Sequence, residues 1–435
     1  MCQIKYAFIT VILTLGAEPG KGGTKEQKKY ILYDVNPGEG FNLRRDVFMR
    51  MAIMVRKLNI ENPDTSFILV LPPWGHLYHW QTRELGPQNK ILWSKFFDVQ
   101  SINYFVPVIE FSDFLVKEGY SINTVYYLQG YKGGWTDGKY EEKYNITDCL
   151  NEMVYQKDVN GRYTGFFWGY SSVRADNFEC MSVQGATRVL NKFLVESPEQ
   201  SIMLDRAESL LHDFFGDENY WGIRRAMKFS KTLVKIAEAF RIDELNSDDE
   251  DDNSVVPDDW REQRTEREER GGPYLCVHLR RRDYVRAREG QIPSIRGAAE
   301  QLRKKLEEQG LDTLYVSTDA PYHEFEQLRD YLTDFNVVKY TPSAEVLKKF
   351  KDGGVAILDQ IICSHAKYFV GSYESTFSFR IQEEREIMGF PVKSTFDMLC
   401  PDGKDKCEKG SQWKIDWGKP GKDWRIDSST PHVEL

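Results

Sequence analysis

A chain of 435 residues, 41% hydrophobic and 13% aromatic, can bury two or three sizeable cores, which excludes a disordered protein. Its formal charge of -9 has one source: Asp243 to Asp259 holds nine acids and no base, and the other 58 acids are matched by 58 Lys and Arg. A body balanced in this way gives no footprint for nucleic acid, which needs a basic face.

At the N-terminus Lys5, an apolar run from Tyr6 to Leu15, then Gly16 and Ala17 follow the order of a cleaved secretory signal over residues 1–17. The competing reading is a buried N-terminal strand, against which the charged and glycine-rich stretch Glu18 to Lys29 argues. The run is too short to span a bilayer, and no other stretch reaches the roughly 18 apolar residues of a membrane helix. The expected mature product has no membrane span and resides in a lumen or outside the cell.

From Tyr30 strand-like and helix-like segments alternate. Ile31 to Val35 reads as a short strand that breaks into Asn36, Pro37, Gly38, Glu39, Gly40, Phe41 and Asn42, where two glycines let the backbone approach a ligand and one carboxylate is left in the turn. Leu43, Val47, Met51 and Met54 recur on one helical face, and Phe67 to Leu71 is apolar again, completing a βαβ unit. Pro72 and Pro73 stop that strand, and Trp74, His76, Tyr78, His79 and Trp80 crowd the next loop. Without a matching acid or histidine spacing, His76 and His79 read as packing and hydrogen-bonding residues rather than metal ligands. Further on, Phe105 to Phe111 and Val125 to Leu128 look like strands, Phe166 to Tyr170 is aromatic, and Leu204 to Phe215 and Arg224 to Phe240 carry helical spacing.

The acidic run Asp243 to Asp259 has no apolar periodicity and reads as a solvated or disordered link. Asp249, Glu250 and Asp251 match the Asp-x-Asp metal motif only formally, since a functional pair ends a buried strand, so no metal site is assigned. After Gly271 the alternation resumes: strand Tyr274 to Leu279, helix Ile295 to Glu308, strand Leu314 to Thr318, helix Tyr322 to Leu332, a short strand at Val337 and Val338, helix Gly354 to His365, strand Tyr368 to Val370 and helix Ser375 to Met388. Two βα blocks, 28–242 and 263–435 across a link at 243–262, predict an α/β protein of two facing nucleotide-fold domains with a cleft between them.

Adjacent guanidiniums in Val277-His278-Leu279-Arg280-Arg281-Arg282-Asp283, at the carboxyl end of a predicted strand, suit an anionic group held bidentately. Ser375, Thr376 and Phe377 open a helix whose N-terminal N–H groups favour a phosphate, and Asp359 can accept from a guanine or a ribose hydroxyl. Taken singly, Ser375 and Thr376 read as caps and Asp359 as the partner of a neighbouring base; their joint occurrence with the arginine tract points to a nucleotide. Arginines in one block and a carboxylate in the other suggest group transfer from a nucleotide-activated donor.

Seven cysteines agree with an oxidising compartment. Cys2 leaves with the signal, and Cys276 and Cys363, in apolar runs, read as buried free thiols. Cys400 and Cys407 share a polar loop and most simply bridge each other, leaving Cys149 with Cys180, although four cysteines permit three pairings. No CxxC spacing exists, which argues against zinc and thiol redox chemistry. Asn145, Ile146 and Thr147 form an N-glycosylation acceptor that would lie in a surface loop, and the terminal His432, Val433, Glu434 and Leu435 are similar to an endoplasmic-reticulum retrieval signal.

NPGEGFNLRRD, VHLRRRDY, GGVAILDQ and VGSYESTFSFRIQEERE closely resemble the corresponding tracts of protein O-fucosyltransferases, of the kind that modifies thrombospondin type 1 repeats. The resemblance runs from about Tyr30 to the loop of Cys400 and Cys407 and includes LPPWGHLYHW and LDRAESLLHD. It departs at Gly38, where a proline is expected before the glutamate, and in the acidic insertion. The resemblance implies a GT-B-like pair of Rossmann-type domains using GDP-fucose without a divalent metal, with folded thrombospondin repeats as acceptors; the signal and the terminal tetrapeptide point to the endoplasmic-reticulum lumen, and a monomer is expected. By that likeness Gly38, Glu39, Gly40, Phe41 and Asn42 line the donor sugar and acceptor hydroxyl, with Glu39 as base. His278, Leu279 and Arg280 meet the diphosphate and ribose, Asp359 the guanine, and Ser375, Thr376 and Phe377 the phosphate side, while Glu384 supports catalysis.

Three other readings compete. A non-catalytic binding or quality-control protein for disulfide-bonded repeats would have no need of Glu39 and Arg280, and both are present. A sulfotransferase needs a P-loop-like cradle where this chain has an acid. A fucosyltransferase with a glycan acceptor would share the arginine tract.

Overall fold

A computed structural model describes residues 27–133, 140–262, 267–404, 407, 409, 414–419 and 422–424; the expected signal and the C-terminal retrieval-like tetrapeptide lie outside them. The first block runs β1 (Gln27–Tyr33), α1 (Phe41–Glu61), β2 (Thr65–Leu71), α2 (Val99–Asn103), β3 (Val108–Glu110), α3 (Phe111–Glu118), β4 (Ser121–Gln129), β5 (Lys143–Thr147), β6 (Gln156–Lys157), β7 (Tyr163–Thr164), β8 (Arg174–Gln184), α4 (Asn191–Glu196), β9 (Ser201–Asp205), α5 (Glu218–Ala226) and α6 (Lys231–Leu245). Its strands lie in the order β3-β2-β1-β9-β4-β8-β7-β6, parallel from β3 to β8, with β5 antiparallel on β8. The second block runs β10 (Gly272–Leu279), α7 (Arg282–Ala287), α8 (Ile295–Gln309), β11 (Thr313–Thr318), α9 (Tyr322–Tyr331), β12 (Asn336–Val338), α10 (Ala344–Ser364), β13 (Ala366–Gly371), α11 (Thr376–Met388), α12 (Val392–Thr395) and β14 (Asp397–Met398). All five of its paired strands are parallel, in the order β12-β11-β10-β13-β14.

Helix α1 is buried on most of its circumference because it lies between its own sheet and α5 and α11. Val47, Met51 and Met54 are fully covered as the spacing predicts, but Leu43, in the first turn, stays exposed. One apolar cluster runs through both blocks, taking in Met51, Leu69 and Leu204 as well as Tyr274, Ile357 and Ile381. Helix α6 packs on α10 and β10, and Trp424 from the C-terminal tail returns to Phe105, its carbonyl accepting from Arg56. The two sheets are therefore joined through a shared core.

Several expectations need correction. Leu204 to Phe215 is not helical: Leu204 belongs to β9, a buried central strand, and Arg206 at φ 65° turns the chain before helix can begin. Arg224 to Phe240 divides into α5 and α6, since Met227 to Ser230 is drawn off to pair with Phe96 to Asp98. Helix α10 begins at Ala344, ten residues earlier than read, capped by Ser343 and interrupted by Lys351 at φ 57°. The long strand β8 escaped notice because RADNFECMSVQ mixes polar and apolar residues without strict alternation.

The acidic run is ordered where it follows α6. Arg241 is buried on that helix and needs counter-charge, which Asp249 supplies at 2.7 Å, while Asp252 and Ser254 are themselves buried. Cys276 and Cys363 are not free thiols but a disulfide between β10 and α10, their Cα atoms 5.2 Å apart. An apolar run marks burial, and two buried cysteines on packed elements can still bridge. Cys149–Cys180 and Cys400–Cys407 pair as the simplest reading expects. Asn145 is exposed, though on the edge strand β5 rather than in a loop.

Candidate active site

In the second sheet chain order reverses once, between β10 and β13, and in the first β1 has β2 on one side and β9, the last strand of the block, on the other. Connections leave such a point in opposite directions and open a crevice at the carboxyl ends of the strands, where open α/β sheets bind ligands. Both predicted tracts fall there: Asn36 to Asn42 follows β1, and His278 to Asp283 follows β10.

At the second crevice Leu279 is buried as the last residue of β10, and the turn beyond it is cross-braced. Ser372, after β13, accepts from the Arg280 N–H at 2.9 Å and donates to the His278 carbonyl at 2.7 Å. The His278 ring stacks on Phe377 at 4.3 Å, with Nδ1 2.8 Å from Ser378 Oγ. Burial, helped by nearby Arg280, pushes His278 down to about 3, so the imidazole is neutral at physiological pH. The Arg280 guanidinium pairs with Asp319 and, at 2.6 Å, with Asp283. Asp319 also accepts from the Arg281 N–H at 2.6 Å, so one carboxylate at the end of β11 holds the whole arginine turn. Ser375 is buried as the N-cap of α11 but makes no side-chain cap, and Thr376 is the first helical residue. The Ser375 N–H itself donates to the Ser372 carbonyl at 3.3 Å, and no side chain caps the first turn of α11.

Asp359, on α10, accepts from Tyr315 and, at 3.0 Å, from Ser317, both on β11. Burial pushes its carboxyl up to about 6, against the pull of those two hydroxyls and of Lys339. Two carboxylate lone pairs remain for an N–H pair on a planar base.

At the first crevice Asn36-Pro37-Gly38-Glu39 is a tight turn closed by Glu39 N–H to Asn36 C=O at 2.9 Å. Arg44 reaches back from α1 to the Glu39 carbonyl at 3.0 Å, and Glu208 accepts the Asn36 N–H at 3.1 Å. Neither Gly38 nor Gly40 has positive φ, and a Cβ on Gly38 would meet only Asn36 Oδ1 at 3.8 Å. Gly38 is thus not conformationally required, and the turn is braced from outside it. Phe41 packs against Trp74 at 4.8 Å, and Asn42 accepts from Gln360 of α10 at 3.1 Å, which ties the base of the turn to the second block. Beneath lie Asp34 and Asp205, at the ends of β1 and β9. Burial raises both, and the charge of Asp205 adds to the shift of Asp34, which reaches about 7.

A segment of the first block crosses toward the second. Tyr78 Oη lies 3.4 Å from Asp283, and Thr82 and Gln88 both donate to Asp352 of α10, at 3.1 and 2.8 Å. Trp80 rests on Gly353, where a Cβ would come within 2.6 Å of the indole. The segment of Tyr78, His79 and Trp80 thereby touches both the Glu39 turn of the first block and the arginine turn of the second. Among the described residues no cluster of three His, Cys, Asp or Glu side chains is placed to share a metal ion.

A profile of the GDP-fucose protein O-fucosyltransferase family matches residues 30–388. GDP-fucose protein O-fucosyltransferase 2 of Caenorhabditis elegans is 45% identical over 395 residues, covering 89% of this chain and 90% of the relative. Its namesake in Homo sapiens is 43% identical over 396 residues, covering 90% and 91%. The chain belongs to the GDP-fucose protein O-fucosyltransferase family. Its GT-B-like fold agrees: the crystal structure of POFUT1 in complex with GDP-fucose superposes with a TM-score of 0.55 at 17% identity, over 85% of this chain and 98% of that one.

In this fucosyltransferase Glu384 stands apart from the other expected site residues. Eight residues beyond Thr376 on α11, it is about 12 Å along the helix axis, where it pairs with buried Arg224 at 2.8 Å. Arg224 also binds Glu383, which pairs with Arg380 and accepts from Tyr220. This ionic cluster braces α5 of the first block against α11 of the second, a supporting position rather than a place in the cleft. Sequence reasoning missed Asp319, Ser372, Ser378, Arg44, Glu208 and the Asp34–Asp205 pair. Asp319 was the most readable, since it directly follows a predicted strand of a parallel sheet, and Ser372 lies two residues beyond another.

Proposed function

We propose that the chain transfers fucose from GDP-β-L-fucose to Ser or Thr hydroxyls of folded thrombospondin type 1 repeats, with inversion and without a metal ion. The observation that carries this reading is a carboxylate turn in one block and an arginine turn in the other, bridged by the segment of Tyr78 to Trp80. Likeness to the type 2 relatives at 43 and 45% identity supports GDP-fucose as donor. The protein acceptor of that kind rests on the motif resemblance. The three disulfides fit an oxidising compartment, and no helix of the described residues is long and apolar enough to cross a membrane. We place the enzyme in the endoplasmic-reticulum lumen, as a monomer.

In the proposed step the acceptor oxygen attacks the anomeric carbon while the bond from that carbon to the β-phosphate oxygen breaks. The electron pair leaves with GDP, and the acceptor proton passes to the Glu39 carboxylate. A β-linked donor yields an α-linked product in one displacement, so one base suffices where a retaining route needs two carboxylates. Arg280 meets the charge growing on the β-phosphate, and it must turn from Asp283 or Asp319 to do so. His278, a neutral donor braced by Phe377 and Ser378, and the first N–H groups of α11 hold the diphosphate, and Asp359 holds the guanine.

Chelator-stripped protein, labelled GDP-fucose and a folded thrombospondin repeat beside the same repeat reduced test the reading directly. Transfer to the folded repeat alone is expected. Binding of GDP without transfer to either form would reject the enzymatic role.

A further inference from the structure

We propose that His79 completes the donor site from the first block, its ring donating a hydrogen bond to the β-phosphate end of the sugar–phosphate linkage. The inference rests on the reading of the cleft given above and adds a residue to it.

Three observations place the imidazole there. A Cβ built on Gly40, the residue after Glu39, would come 3.8 Å from His79 Cδ2 and 3.9 Å from Nε2, so the ring lines the acceptor side. On the other side Tyr78, whose ring lies against His79, reaches Asp283, the carboxylate paired with Arg280, and the Arg280 charge lowers the His79 titration point. The ring therefore lies between the turn assigned to the base and the arginine assigned to the leaving group, where the breaking bond must sit. Neither ring nitrogen has a hydrogen-bond partner among the described residues, and the side chain is exposed to the cleft.

The position is built rather than incidental. Tyr78 lies against the His79 ring with centroids 3.6 Å apart, and its hydroxyl reaches Asp283. Trp80, the next residue, is packed on Gly353 and Phe41, and the segment is pinned further on by Asp352. A side chain fixed on both flanks, its ring nitrogens without a hydrogen-bond partner among the described residues, is organised for a ligand rather than for the fold. Partial burial and the Arg280 charge both lower the His79 titration point, which keeps the imidazole neutral with one N–H to donate. His79 takes no proton in this scheme: the acceptor proton goes to Glu39 and the electron pair to GDP.

The test compares His79→Phe, which keeps the ring volume without a donor, with His79→Gln, which keeps an N–H without the ring, in steady-state transfer from GDP-fucose to a folded thrombospondin repeat. Loss of one hydrogen bond to a charged group predicts a fall in kcat of about tenfold or more for His79→Phe, with GDP affinity changed far less and His79→Gln recovering most of the rate. A merely packing role reverses the order, with Phe tolerated and Gln poor. Near-normal kcat for His79→Phe, or equal losses in the two variants, would overturn the proposal. Failure of the unaltered enzyme to transfer would overturn the underlying reading instead.

Discussion

The two crevices have the same topological origin and opposite chemistry. The one after β1 gathers acids, Glu39 in the turn with Asp34, Asp205 and Glu208 around it, and Arg44 as its brace. The one after β10 gathers arginines, with Asp319 as the brace. A parallel sheet supplies a place to bind and leaves the charge open, so the sign of each site is set by loops. Joined by a shared core, the pair would, in the mechanism proposed above, separate proton removal from stabilisation of the leaving group.

The sharpest way to break this division is Arg280→Ala. Removing a preorganised cation from the developing charge predicts a loss of roughly a hundredfold or more in turnover at unchanged melting temperature; steady-state kinetics beside thermal unfolding check it. An Arg280→Ala variant with near-normal turnover would leave the second crevice a binding site only.

A pH profile tests the nucleoside end. Asp359 has its carboxyl raised to about 6, and recognition of the base needs it ionised. For the enzyme before donor binding, kcat/KM for GDP-fucose should fall about tenfold per unit as pH drops below that value. The groups facing Asp359 are Tyr315, Ser317, Lys339 and Tyr340. Asp359→Asn should remove the inflection and lower donor affinity at every pH; a profile unchanged by that substitution would assign the inflection elsewhere.

The smallest effect is expected at Gly38. Its backbone has no positive φ and a Cβ there has room, so Gly38→Ala should keep turnover near that of the parent and shift stability by no more than about 0.5 kcal/mol. A large loss would mean that a ligand packs against that Cα.

The contrast between the crevices also explains what the sequence could disclose. The arginine crevice was legible because its groups are contiguous in His278 to Asp283 and are joined by the helix start at Ser375 to Phe377. The acid crevice was legible only at Glu39, since Asp34, Asp205 and Glu208 meet through strand order, which spacing does not encode. Periodicity found α1, α8 and the second sheet. It failed at Leu204 to Phe215, where a buried strand and a turn imitate helical spacing, and at Asp243 to Asp259, where buried Arg241 orders a stretch that composition marks as solvated. Burial of Cys276 and Cys363 was correctly read and their bond was not, because an apolar run says nothing of what a cysteine faces.

The measurement that bears most directly on the division of labour is Glu39→Gln, with GDP affinity by calorimetry and transfer to a folded thrombospondin repeat measured on the same protein. The account predicts GDP affinity within about twofold of the parent and turnover lower by about a hundredfold or more. Near-normal transfer, or loss of GDP binding, would contradict the placement of the base in the first crevice.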